Sequence, residues 1–233
     1  VCGTRARTLD RVTIGGVQRF TGAVGVAAGA VMLTQTPLYF VYSGAPPDWN
    51  VLIRVLLSLI GITLLVPFLA GLRRLFVAAD PGLEWVATMM FGAGMLYLAV
   101  SMVAQSMEAG AVIAAVDPID PTTTGALAPG QWLLYGTTAR LMSALFLFAA
   151  AYLVARTDVL PDWIGRCATA LAVINLLFVP SMFFGSDAAD FYSAEGWGTT
   201  ALVGSLFLVW ILATGVALLR AYQDSLARTA SSS

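Results

Sequence analysis

The sequence predicts an all-α protein, a polytopic membrane bundle of six transmembrane helices with both termini in the cytoplasm. Three observations lead there: long apolar runs, scarce charge, and an uneven placement of arginine. Of 233 residues, 59% are hydrophobic and 11% charged, and the mean hydropathy is +0.84. A soluble domain of this size carries roughly 25% charge, so lipid solvates most of this surface. A helix crossing about 30 Å of hydrocarbon needs roughly 20 apolar residues.

Six segments supply such a run. The first, 20–42, is too long for a signal-peptide core and reads as a retained span. The second is 51–72, followed by the turn-bearing stretch RRLFVAADPGLE. The third begins near Trp85 and reaches at least Met107; the fourth is 131–155, the fifth 164–184 and the sixth 199–219. The chain thus divides into a basic cytoplasmic segment 1–19, a transmembrane domain 20–219 and a cytoplasmic tail 220–233. The first dozen residues and the final ASSS are expected to be disordered. Trp49, Trp85, Trp132, Trp163 and Trp197 fall near span ends, as interfacial anchors do.

Orientation follows from arginine. Alternate connections hold Arg5, Arg7, Arg11 and Arg19, then Arg73 and Arg74, then Arg156 and Arg166, then Arg220 and Arg228. The opposite connections, 43–50, 108–130 and 185–198, hold none. The positive-inside rule therefore places both termini in the cytoplasm. The outer segment 108–130, with its prolines, is the longest connection and reads either as a mobile lid or as a plain linker.

Composition also excludes chemistry. The chain has neither lysine nor histidine, which removes Schiff-base cofactors, bis-histidine haem and histidine-ligated metals. Cys2 and Cys167 are too few for a thiolate cage, and both fall on the reducing side, where a disulfide is not expected. A net charge of −1 argues against a nucleic-acid partner. No cofactor is expected.

The polar residues inside the spans are the informative ones. In the third span Gly94, Tyr97, Ser101, Gln105 and Glu108 fall within a stripe of about 80° at 100° per residue. The fourth span offers Gly136, Thr137, Arg140, Ser143 and Ala144, and the second Arg54, Ser58 and Gly61. The first carries GVAAG, from Gly25 to Gly29, with Gln35 further along. Small residues let membrane helices approach and polar ones bond across the seam, so these stripes face protein. Counting back roughly 20 residues from Arg73 and Arg156 places Arg54 at the outer boundary and Arg140 about one turn below it. Asn175 and Pro180 in the fifth span suggest a packing hydrogen bond or a kink that frees a carbonyl.

Two readings of the arginines stay open. In one, Arg54, Arg140, Gln35, Gln105, Tyr97, Ser101 and Glu108 form an outward-facing pocket for an anionic head group or small carboxylate. In the other, Arg140 pairs with Glu108 and only fixes helix register.

The run LFLFAAAYLVARTDVLPDWIGRCATALAVI places Arg156, Pro161, Trp163 and Gly165 at the turn before the fifth span, with Arg19 and Gly22 ahead of the first. This pattern resembles small six-span bacterial integral membrane proteins grouped as a domain of unknown function (DUF series). The resemblance implies a bacterial multi-pass protein of the inner (plasma) membrane and lends no catalytic residue. Three function classes follow. The favoured one is a non-enzymatic membrane protein that binds a small amphiphile or membrane lipid, or serves as a subunit with a protein partner or as a homo-oligomer. The alternative is a small transporter or channel, which lacks an evident mid-membrane acid for proton coupling. The third is an enzyme using Asp187, Asp190 and Glu195 with a divalent cation.

Overall fold

The computed structural model describes residues 2–42, 44–125 and 127–230, with side chains described within 14–228. Among them there is no strand. Helix α1 (Cys2–Gln35) ends in a 3-10 turn, Thr36–Tyr39, and α2 is Asp48–Ala79. A 3-10 turn, Pro81–Leu83, leads straight into α3 (Glu84–Ala114). The short α4 (Ala128–Leu133) passes through a π turn, Leu134–Thr138, into α5 (Ala139–Arg156). Helix α6 (Asp162–Phe178) closes with a 3-10 turn, Val179–Phe183, and a second π turn, Gly198–Leu202, opens α7 (Val203–Ala230).

Six stretches are long and apolar enough to cross a membrane: Ile14–Tyr39, Asp48–Ala79, Pro81–Ala114, Ala128–Arg156, Asp162–Phe183 and Gly198–Arg228. The protein is a multi-pass integral membrane protein built as a helical bundle. Local chemistry sets several boundaries. Pro47 and Pro161 take extended backbone before α2 and α6, and Asp48 and Asp162 then sit at helix starts, where the dipole favours an anion. Asp80 accepts from the Gly82 amide at 2.9 Å, which tightens the α2–α3 turn, and Arg73 bridges to Glu84 at 2.9 Å across it.

Two boundaries differ from the sequence expectation. Helix α3 runs on to Ala114, so Glu108 lies inside the helix rather than at the head of a loop. The apolar run that follows Glu108 favours helix, and the charge is neutralised in place, as described below. The first dozen residues, expected to be disordered, continue α1 from Cys2. The tail 231–233 lies outside the described residues.

The long helices form a closed ring in the order α1, α2, α3, α5, α6, α7, with the sparsest packing between α6 and α7. Gln18 donates to the Leu218 carbonyl at 3.2 Å, so α1 and α7 run antiparallel, and both terminal segments lie at one end of the bundle. That turn end holds the α2–α3 and α5–α6 connections, and the opposite loop end holds the longer ones. Buried Phe68, Phe76, Phe146, Leu147, Ile211 and Leu218 lie in one continuous core. The exposed Leu56, Leu96, Leu145 and Leu177 face outward, as lipid contact requires.

The GVAAG face of α1 does meet protein. A Cβ added at Gly25 would strike the Phe68 ring, and one at Gly29 would lie 2.9 Å from Leu212 Cβ. On α7, a Cβ at Gly215 would lie 2.7 Å from the Val26 nitrogen and 2.8 Å from the Gly22 oxygen. The obstacle there is backbone, which a rotamer change cannot clear. Gly215→Val is therefore expected to destabilise the protein by about 1–3 kcal/mol or more, the range for overpacking. Gly92→Ala, where a Cβ meets nothing within 4 Å, should be neutral or mildly stabilising. Thermal unfolding in neutral detergent compares the two, and equal effects would show that the α1–α7 approach is not tight.

Candidate ligand cavity at the loop end of the bundle

Between the helices at the loop end lies a cavity of about 260 Å³. Of the residues predicted to form a pocket, Gln35, Tyr97, Ser101, Gln105, Glu108 and Arg140 all line it. The α3 stripe supplies four of these along one face, as its spacing requires. Arg54 does not line it; it stands behind the wall and holds that wall together.

The expected Arg140–Glu108 pair does not form. Glu108, fully buried, belongs to Arg54: Nη2 lies 2.6 Å from Oε1, and Nε donates to the same oxygen at 2.8 Å. Tyr39 and Gln131 each donate to Oε2 at 3.4 Å, and the Tyr39 ring lies 4.0 Å from the Arg54 guanidinium carbon, a cation–π contact. The reason is depth. Arg54 opens α2 and Glu108 ends α3, so antiparallel neighbours bring them level. Arg140 lies near Tyr97, about 16 Å of helix rise below Glu108 at 1.5 Å per residue.

Arg140 is 5% exposed and has no carboxylate within 4 Å among the described residues. Its Nη1 donates to Asn175 Oδ1 at 3.3 Å and its Nη2 to the Tyr135 carbonyl at 3.4 Å, while Nε has no partner. Asn175 is itself fixed by donating to the Leu171 carbonyl at 2.8 Å. Gly204 on α7 leaves room for the guanidinium, since a Cβ there would come 3.8 Å from Nη2. Other buried polar atoms on the wall also lack partners: Gln35 Oε1, Ser58 Oγ, Gln105 Oε1 and Tyr135 Oη. Buried polar atoms are satisfied in the great majority of cases, so these are the atoms of this wall open to a further partner.

The two π turns shape the wall. Gln131, Tyr135 and Arg140 all line the cavity at spacings of four and five, because the π turn inserts a residue between them. The same turn splits the predicted fourth-span stripe. Gly136 packs toward the Ala194 carbonyl, and the Thr137 hydroxyl donates to the Val179 carbonyl at 3.5 Å, so neither reaches the cavity. That carbonyl is the one before Pro180, whose 3-10 turn ends α6.

The longer loops close the top. Asp120 accepts from both the amide and the hydroxyl of Thr122, at 3.0 and 2.7 Å, and the Trp132 indole donates to the Thr122 carbonyl. The turn at 120–124 is thus tied to α4, and its Thr122 lines the cavity. From the 184–197 connection comes Glu195, 7% exposed and facing Thr122. Burial pushes its carboxyl up to about 7; the Thr122 hydroxyl opposes the shift, and Asp120 and Asp187 add to it. Below Tyr97 aromatic rings narrow the space to a void of about 10 Å³ between Tyr97, Phe146 and Phe207. The Tyr97 and Phe207 rings lie 5.1 Å apart, and Phe146 packs edge-on against Phe207 at 5.8 Å and Trp210 at 5.7 Å.

Sequence reasoning missed Tyr39, Tyr135 and Gln131, and assigned Glu195 to a metal-dependent enzyme reading. Tyr39 reads as an interfacial aromatic, and the π turn breaks the period that would expose the other two. Among the described residues no three carboxylates or cysteines gather to hold a metal, so nothing in the geometry supports the third reading, an enzyme using Asp187, Asp190 and Glu195 with a divalent cation. Comparison with protein-family models, with curated proteins and with solved structures gives no match.

Two outcomes test this geometry. Arg54→Met leaves Glu108 buried and unpaired, which costs roughly 3–5 kcal/mol, and adding Glu108→Met should restore most of it. Unfolding in detergent reads both, and a double variant no better than the single one would refute the pair. Glu195 titrates at about 7 when folded against 4.5 ordinarily, so the folded state holds its proton more tightly. Stability should therefore be full below pH 4.5 and decline as pH rises through 7, and Glu195→Gln should flatten that decline.

Proposed function

We propose that this integral membrane protein binds a small anionic group, a carboxylate or an anionic lipid head group, in the loop-end cavity with Arg140 as its seat. A single observation carries this reading: a buried guanidinium lines a cavity and has no carboxylate within 4 Å among the described residues. A cation held in low dielectric without a counter-ion is costly, and an incoming anion relieves that cost. The guanidinium fork also suits carboxylate or phosphate better than a point charge does. The cavity volume, about 260 Å³, suits a small ligand or a head group rather than a whole lipid.

The distribution of arginine supports a cytoplasmic turn end, which turns the cavity toward the outer face of the inner membrane. The ligand then arrives from outside or from the outer leaflet. Transport or conduction, the alternative, needs a polar path to the other side, and the aromatic packing below Tyr97 favours binding instead.

The experiment is ligand-dependent thermal stabilisation of the purified protein in neutral maltoside detergent. Carboxylates from acetate to octanoate, and phosphatidylglycerol, are the probes. At least one should raise the unfolding midpoint of the wild type, Arg140→Gln should abolish the rise, and Arg140→Lys should retain only part. Failure of every anion, or an undiminished rise in Arg140→Gln, would overturn the proposal.

A further inference from the structure

We infer that the ligand of this cavity is a dipolar ion, with its anionic group on Arg140 and an ammonium group held by Glu195 and the indoles beside it. The inference rests on the anion-binding reading above and adds the second pole.

Arg140 and Glu195 line one cavity, are 5% and 7% exposed, and neither is within 4 Å of an opposite charge among the described residues. Two such groups would neutralise each other if they met. The fold keeps them apart: Asn175 and the Tyr135 carbonyl hold Arg140 on α5, while Glu195 sits on the loop facing Thr122. The other buried charges of the wall, Arg54 and Glu108, cancel within their own pair. What the space presents to a ligand is therefore one positive and one negative site. A mono-ionic ligand answers one of them and leaves the other desolvated and alone.

The surroundings of Glu195 suit an ammonium group. Trp132 and Trp197 line the cavity with it, and indole faces attract cations. Elsewhere on the cavity wall, Gln35 Oε1 and Gln105 Oε1 are further acceptors. Asp120 and Asp187 lie close enough to raise the Glu195 carboxyl, so the field on that side is negative. Across the cavity the other titratable groups are Glu108, Arg140 and the tyrosines Tyr39, Tyr97 and Tyr135. A free amino-acid-like molecule and a zwitterionic lipid head group share this chemistry.

Isothermal calorimetry on the full protein in neutral maltoside separates the possibilities. The dipolar probes are glycine betaine, 4-aminobutanoate, phosphocholine and lysophosphatidylcholine; the monopolar ones are acetate, methyl phosphate, choline and lysophosphatidylglycerol. At least one dipolar probe should bind roughly tenfold or more tighter than its monopolar counterparts, the scale of one charge-assisted hydrogen bond. Binding by the soluble zwitterions points to a free ligand, and binding by lysophosphatidylcholine alone points to a head group.

In buffers of different ionisation enthalpy near pH 7, dipolar binding should release protons, because a cation beside Glu195 favours its ionised form. This readout needs no variant. Glu195→Gln should lose both the preference and the release while tightening acetate; Arg140→Gln should lose all binding. Arg140-dependent acetate binding with no dipolar preference would overturn the dipolar ligand and leave the anion site standing. A preference that persists in Glu195→Gln would overturn it too. No Arg140-dependent binding by any probe would sink both readings.

Discussion

An ionised side chain inside a bilayer must be compensated where it stands, because no water is near to do it. That constraint sorts all twelve basic residues of this protein, every one an arginine. Ten lie in the terminal segments or near the turn end of their helices. Arg54 is compensated by Glu108, and the pair in turn fixes much else: α2 and α3 are held level, the Thr36–Tyr39 turn delivers a phenol to the carboxylate, and Gln131 ties α4 to the same atom. Arg140 donates two long hydrogen bonds, both to neutral groups. The contrast between the two arginines is what separates scaffold from site.

Residue size then decides where space is left. Along the α1, α2 and α7 seams, glycines allow backbones and side chains to come very close, at Gly25 against Phe68, Gly29 against Leu212 and Gly215 against Val26. Such contact is how membrane helices gain van der Waals energy without a hydrophobic drive. At the loop end the facing positions are Gln35, Gln105, Tyr135 and Arg140, whose bulk and hydrogen-bonding needs prevent the same closure. The π turns of the α4–α5 and α7 segments contribute by rotating side chains out of helical register around that gap. A tight lower half and a hollow upper half follow from one alternation of small and polar residues.

The bundle was legible because lipid imposes a simple code: length, apolarity and the alternation of arginine. The α3 stripe was legible for the same reason, since an unbroken helix keeps its 100° period from Gly94 to Glu108. What failed was partner choice. Arg140 and Arg54 are both plausible mates for Glu108 when depth is counted only from cytoplasmic arginines, and a one-turn uncertainty reverses the answer. The π turn at Leu134–Thr138 is invisible to a fixed period, so Gln131 and Tyr135 were passed over, while Gly136 and Thr137 do face protein, as their stripe predicts, but pack beside the cavity rather than in it. Glu195 belongs to a loop, and nothing local in its sequence says that it folds back over the bundle.

An arginine kept only for helix register would be expected to sit as Arg54 does. A central arginine costs roughly 2.5–3.5 kcal/mol on insertion scales, and a register device has no reason to retain that cost when a nearby acid can cancel it. Arg140 has Glu108 and Glu195 around the same cavity, yet each is held off, one by Arg54 and the other on its loop. Its own anchor, Asn175, is a neutral amide that orients the guanidinium without discharging it. Such an arrangement orients a charge without compensating it, which is the property that the proposed anion binding uses. Complementarity in a low dielectric works in this way: the site is organised before binding, and the ligand supplies the missing charge.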